Sequence, residues 1–156
     1  MTDRRAPGIF RILLEVHDLD RARRFYESLL GTRGRAVGAE RVYFDCGRTI
    51  FGILNPSPHG RSTNRPTPEP VYFSTPDLLR VYRRARRLVC LSRERIHGGD
   101  PAGEIRVRPW GERSFYAQDP SGNPLCFVDS RTRFTGTPRQ IAKLNRVAAP
   151  SDPGRD

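Results

Sequence analysis

A short pattern near the start of the chain recurs 59 residues later, and that repeat limits the fold more than any other feature of the sequence. Phe10-Arg-Ile-Leu-Leu-Glu-Val16 is followed by His17-Asp18-Leu19. Glu69-Pro-Val-Tyr-Phe-Ser-Thr75 is followed by Pro76-Asp77-Leu78. At this offset Ile12 matches Val71, Leu14 matches Phe73, Val16 matches Thr75 and Asp18 matches Asp77. Both stretches alternate with period two, as a half-buried strand does. Each ends in an aspartate suited to cap a following helix. A repeat of this length implies a duplicated architecture.

The stretches after each aspartate read as amphipathic helices. Leu19, Ala22, Phe25, Tyr26, Leu29 and Leu30 form one apolar stripe, and Gly31 ends it as a C-terminal glycine should. Leu78, Val81, Tyr82, Ala85, Leu88 and Val89 form the second, with Arg83, Arg84, Arg86 and Arg87 off the stripe and solvated. Strands are expected after the first helix at 35–37, 41–45 and 49–54. After the second they are expected at 104–108, 113–118 and 124–128, with turns at Trp110-Gly111 and Ser121-Gly122-Asn123. The order strand, helix, three strands therefore occurs twice. It divides the chain into an N-terminal arm (1–8), a first module (9–55), a Pro/Ser/Thr/Gly-rich linker (56–68), a second module (69–130) and a basic, largely irregular tail (131–156). In the tail, Ile141, Ala142 and Leu144 suggest one helical turn, and 149–156 reads as disordered.

The 156 residues suit one domain with a real core. No apolar run approaches the length of a membrane span, and the first eight residues lack the apolar core of a secretory signal. A soluble cytoplasmic protein is expected. Cys46, Cys90 and Cys126 form no metal-binding spacing and read as reduced thiols. Lys and Arg number 28 against 17 acids, a formal net charge of +11, and Lys143 is the one lysine. This balance favours anionic partners. With no compact basic block carrying interleaved aromatics, nucleic acid is a disfavoured partner.

The segments Val16-x-Asp18-Leu19, Phe25-Tyr26-x-x-x-Leu30-Gly31 and Asp119-Pro120-x-Gly122-Asn123-Pro124 resemble the vicinal oxygen chelate superfamily of glyoxalases, bleomycin-resistance proteins and dioxygenases. The similarity covers roughly residues 8–130. It implies an α+β fold in which paired βαβββ modules form a curved mixed sheet around a cleft, and a homodimer. Enzymes of that superfamily hold a divalent metal with His and Glu side chains on cleft-facing strands. The matching positions here are Arg11, seven before Asp18; Pro70, seven before Asp77; and Cys126, seven after Asp119. Residues 49–54 offer no His, Asp or Glu. An arginine stays protonated and has no lone pair to give, proline has no donor, and one thiolate binds metal weakly. Neither a metal nor another cofactor is expected.

Period two sends Arg11, Leu13 and Glu15 of the first strand into the cleft, together with Pro70, Tyr72 and Ser74 of the fifth. From the last two strands come Ser114, Tyr116, Gln118, Pro124, Cys126 and Val128. The expected ligand-binding residues are Arg11, Glu15, Tyr72, Ser74, Arg108, Trp110, Tyr116 and Cys126. Arg11 supports two readings: a bidentate clamp on a carboxylate or phosphate, or an internal salt bridge to Glu15 or another acid. The second is slightly favoured because an unpaired buried arginine is costly. Trp110 either stacks on a planar ligand, beside the cations Arg108 or Arg113, or anchors a turn. The loop 93–103 is a candidate lid. Cys126 reads as a small buried thiol, with no base to activate it. The expected function is metal-independent binding of a small molecule, anionic with an aromatic portion. A lyase or dioxygenase with an atypical metal site using Glu15 or His17 is one alternative. A binding module for an anionic partner such as nucleic acid is the other.

Overall fold

The computed structural model describes residues 5–56 and 65–148. Most of the expected linker, and the disorder expected from 149 onward, lie outside the described residues. The first module runs β1 (Arg11–Glu15), α1 (Leu19–Leu30), β2 (Arg35–Val37), β3 (Arg41–Cys46) and β4 (Thr49–Leu54). The second runs β5 (Val71–Thr75), α2 (Leu78–Arg87), a small hairpin of β6 (Arg95–Ile96) and β7 (Asp100–Pro101), then β8 (Arg106–Val107), β9 (Arg113–Gln118) and β10 (Pro124–Asp129).

Each module builds a four-stranded mixed sheet, ordered β1-β4-β3-β2 in the first and β5-β10-β9-β8 in the second. β1 lies parallel to β4 and β5 parallel to β10; the remaining pairs are antiparallel. A parallel partner needs a crossover connection, and in each module the helix begins that crossover. The expected aspartates start both helices. Asp18 accepts from the Arg21 backbone N–H at 3.0 Å, and Asp77 from that of Arg80 at 3.1 Å. The fold is therefore α+β, with the duplicated layout that the repeat implies.

One face of each sheet, here called the back, packs on the helices. Leu14, Phe44, Phe51 and Ile53 of the first sheet share a single core with Phe115, Leu125 and Phe127 of the second and with Tyr26, Leu29, Val81 and Ala85 of the helices. Phe51 meets Phe73 across the two sheets, ring centres 5.2 Å apart. Phe73, Phe127 and Phe115 stack in a row across the second sheet at 5.1 and 5.3 Å. Since the backs share the core, the opposite, front faces point away from it.

A buried polar tie joins the modules. The Tyr26 hydroxyl of α1 donates to Asp119 at 2.7 Å. Asp119 also accepts from the backbone N–H groups of Ser121 and Asn123 and from the Asn123 amide. That amide also donates to the Glu15 carbonyl at 2.8 Å. Tyr26 is fully buried, and burial, reinforced by the Asp119 charge, raises its pKa well above the usual phenol range. The aspartate and asparagine of the Asp-Pro-x-Gly-Asn motif thus serve the fold. Each meets a buried donor or acceptor that would otherwise be costly.

The tail departs from expectation. Pro138–Ala148 forms an eleven-residue helix, α3, where one turn was expected, and Ser130–Thr132 makes a short 3-10 turn. The cause is a capping box in Thr137-Pro-Arg-Gln140. The Gln140 backbone N–H donates to the Thr137 hydroxyl, while the Gln140 side chain accepts from the Thr137 N–H. Pro138 at the first helical position adds its preset φ.

Candidate functional site

The second sheet carries the more open front face. Its register sets Cys126 of β10 directly between Tyr72 of β5 and Tyr116 of β9. Opposed residues share a face, so these three side chains form its centre. The Tyr116 phenol neighbours both the Cys126 thiol and the Tyr72 phenol. Burial, then the neighbouring Cys126 and Tyr72 groups, pushes the Tyr116 phenol upward. Cys126 is itself pushed up to about 12, chiefly by burial. A thiol in that state carries negligible thiolate at neutral pH and neither attacks substrates nor binds metal readily.

Arg108 sits beside this centre but serves the fold. Its side chain has no exposed surface. The guanidinium donates to Asp100 at 2.8 Å, to the Ser114 hydroxyl at 3.1 Å, and to the carbonyls of Ala102, Glu104 and Ser114. It also lies 5.3 Å from the Tyr116 ring centre. The expectation of Arg108 as a ligand cation therefore fails. Five acceptors, the charged Asp100 among them, already satisfy it, and the β6–β7 hairpin supplies that charge.

Trp110 and Tyr72 rise above the face and divide it into two cavities of about 430 Å³ each. One is lined by Tyr72, Ser74, Trp110, Glu112, Val128, Arg133 and Phe134. The other has Tyr72, Trp110, Tyr116, Gln118, Glu69, Glu94 and His97 among its lining residues. The Trp110 indole N–H donates to Glu112, whose other oxygen accepts from the Phe134 backbone N–H at 3.0 Å. His97 packs edge-on against Trp110 with ring centres 4.7 Å apart. The loop expected as a lid is thus a hairpin whose tip leans on the tryptophan. Glu69, Glu112 and Phe134 are cavity residues that the sequence reading did not include. Glu112 alone carried a signal, since it adjoins the unusual Trp110-Gly111 turn.

Arg11 and Glu15 lie elsewhere. Both are on β1 of the first sheet, and neither lines either cavity. The expected salt bridge between them is absent. Four residues along a strand span about 13 Å, beyond the reach of an ion pair. Arg11 instead places its guanidinium near the rings of Phe10 and Tyr43, at 4.9 and 5.6 Å. No carboxylate among the described residues pairs with it.

The family's metal positions do not fit a metal here. Arg11 is cationic, Pro70 has no side-chain donor, and Cys126 is a protonated thiol. Glu15 and His17 do not repair this. Among the described residues no group of three His, Cys, Asp or Glu side chains could hold an ion. No described helix is long and apolar enough to cross a membrane.

A family model for the Glyoxalase/Bleomycin resistance protein/Dioxygenase superfamily matches residues 8–127. No curated protein matches the chain. Among solved structures, a glyoxalase-related enzyme from Fulvimarina pelagi is 20% identical, with a TM-score of 0.62, covering 81% of this chain and 90% of its own. A lactoylglutathione lyase from Agrobacterium tumefaciens is 22% identical, with a TM-score of 0.57, covering 81% and 96%. A bleomycin-binding protein complexed with bleomycin is 18% identical, also with a TM-score of 0.57, covering 80% and 99%. At these identities the likeness speaks to the fold.

Proposed function

The chain belongs to the Glyoxalase/Bleomycin resistance protein/Dioxygenase superfamily, and we propose that within it this protein is a metal-independent binder of small flat molecules. The observation that carries this reading is the aromatic front face of the second sheet. Two cavities adjoin Tyr72 and Trp110, beside a thiol too basic for chemistry and, among the described residues, without a donor set for a metal. A mostly apolar concavity with a few fixed polar groups suits binding. The bleomycin complex of a structural neighbour supports small-molecule binding as a use of this fold. Arg11, Arg108 or Arg113, and the net charge of +11 were the reasons to expect an anionic ligand. Neither Arg11 nor Arg108 offers a free cation to these cavities: the exposed charges include Glu69 and Glu94 in one and Arg133 in the other, where Glu112 is half-buried and held by Trp110 and Phe134. A neutral or cationic aromatic ligand fits the cavity beside Glu69 and Glu94 better.

A second copy of the chain is the proposed cover for the front faces. Leu13 and Tyr72 are exposed there, and Phe10 stands exposed just before β1. Sedimentation at micromolar concentration should give a dimer, and a monomer would remove that part of the reading.

Trp110 is the chain's one tryptophan, so its emission reports directly on the site. Titration of neutral and cationic heteroaromatic compounds should give saturable quenching for some of them. Tyr72→Ala should weaken such a ligand by about tenfold, the size of one aromatic contact. If no compound quenches saturably, or if Tyr72→Ala leaves the affinities unchanged, the reading fails.

A further inference from the structure

A cavity of about 670 Å³ lies between α1 and the chain that follows α2, over the turn joining β9 and β10. Three arginines line it: Arg21 and Arg24 on one stripe of α1, and Arg93 across the gap. All three are exposed, and none is in ion-pair contact with a carboxylate among the described residues. This differs from Arg23, Arg35, Arg106, Arg108 and Arg131, each of which holds an acid within 3 Å. Two carboxylates line the same cavity. Asp119 is buried and engaged by Tyr26 and Asn123, which leaves Glu94 as the exposed negative charge against three positive ones.

Phe25, Leu91 and the exposed side chain of Val89 give the cavity an apolar patch, beside the polar Ser28, Ser92 and Gln118. Val89 holds φ at 52°. A β-branched residue is a genuine outlier in that region, and such strain collects at working sites. Three arginines without an ion pair among the described residues line one concavity that also holds an apolar patch. That chemistry recognises a phosphate or carboxylate attached to an apolar body.

We infer that this groove is a second binding site, for a small organic phosphate carrying a flat apolar group. It adjoins the front-face cavity beside His97, with which it shares Ser92, Glu94, Ala117, Gln118 and Pro124, but its three arginines lie outside that cavity and place the anion-binding capacity of this basic chain on the helical side of the molecule.

Calorimetric titration of the full chain with 1-naphthyl phosphate, 1-naphthol and inorganic phosphate tests the site. Naphthyl phosphate should bind most tightly, inorganic phosphate more weakly, and naphthol without measurable effect in the groove. The double variant Arg24→Gln/Arg93→Gln should weaken naphthyl phosphate by about tenfold or more. Arg139→Gln, an exposed charge on α3, should leave it unchanged, and the melting temperatures of all variants should match the parent. The inference is overturned if naphthyl phosphate does not saturate. It is also overturned if Arg139→Gln weakens it as much as the double variant, which would mean diffuse charge attraction. Loss of binding in Tyr72→Ala with full binding in the double variant would assign the ligand to the front face instead. Failure of the front-face reading alone leaves the naphthyl phosphate results intact.

Discussion

At the centre of the first sheet Gly52 lies between Leu13 and Tyr43; at the matching place in the second, Cys126 lies between Tyr72 and Tyr116. The strand pairings are the same, but the faces are not. A Cβ on Gly52 would stand 2.5 Å from Leu13 and 3.0 Å from Tyr43, because both side chains have closed over the glycine. In the second sheet a thiol fills that space and holds the tyrosines up, so Tyr72 stays exposed. One duplicated scaffold thus gives a more closed face and a more open one, with a different side chain at the centre of each. The hairpins differ in the same direction. Between β3 and β4 the unpaired turn is Gly47-Arg48; between β9 and β10 it is Asp119 to Asn123, long enough to reach the other module.

The largest predicted contrast is in thiol reactivity. Burial holds Cys126 at about 12 and Cys90 at about 11, while Cys46 is half-buried with a smaller rise. Relative to an ordinary cysteine, a pKa near 12 cuts the thiolate at neutral pH by about a thousandfold. A disulfide reagent should label one thiol in the native protein and three after denaturation. Peptide mapping that finds Cys126 labelled first would break the contrast between a closed module and an inert open site.

Next is the tie. Asp119→Ala would strand the Tyr26 hydroxyl, the Asn123 amide and two backbone N–H groups, and should cost about 3 kcal/mol or more in chemical denaturation. Asp45→Ala, which removes an exposed partner of Arg35 in the first module, should leave the denaturation midpoint nearly unchanged. Equal losses would mean that Asp119 is no keystone.

The helix ends come third. α1 ends on Gly31 with φ of 70°, where the conformation suits glycine and where a Cβ would collide with the Arg84 guanidinium. After α2 the left-handed position belongs to Val89. Val89→Gly should therefore stabilise by about 1 kcal/mol, and Gly31→Ala should destabilise by about 1–2 kcal/mol. Matched effects of one sign would contradict the assignment.

The smallest effect concerns acid. Arg131, by charge-assisted hydrogen bonds, holds Asp129 at about 2, below the usual aspartate value. A depressed folded pKa adds stability above pH about 4, and that stability disappears as pH falls from about 4 toward 2. Asp129→Asn should flatten the stability curve over that window, a change readable from melting temperatures.

The repeat, the capping aspartates and most strands were legible in the sequence because they depend on local periodicity and local hydrogen bonds. Tyr72, Tyr116, Cys126 and their shared face followed from strand alternation in the same way. Arg108 was misread because its burial depends on Asp100, delivered by an inserted hairpin that no periodicity announces. The pairing of Arg11 with Glu15 ignored the rise of a strand. The α3 helix had a local signal in Thr137-Pro-Arg-Gln140, obscured by the basic composition around it. The arginine groove had none, since Arg93 meets Arg21 and Arg24 only through packing.

The polar tie also governs how the chain must fold. Tyr26 and Asp119 are 93 residues apart, His17 and Ser121 104, and Glu15 and Asn123 108. Their bonds form only after nearly the whole chain has closed on itself, so the entropy of that closure precedes the reward. Each half can pair its own strands, but the burial of Tyr26 requires the other half. Refolding should therefore proceed as one concerted event, in the slow, millisecond-to-second range typical of high contact order, and the first module expressed alone should remain unfolded.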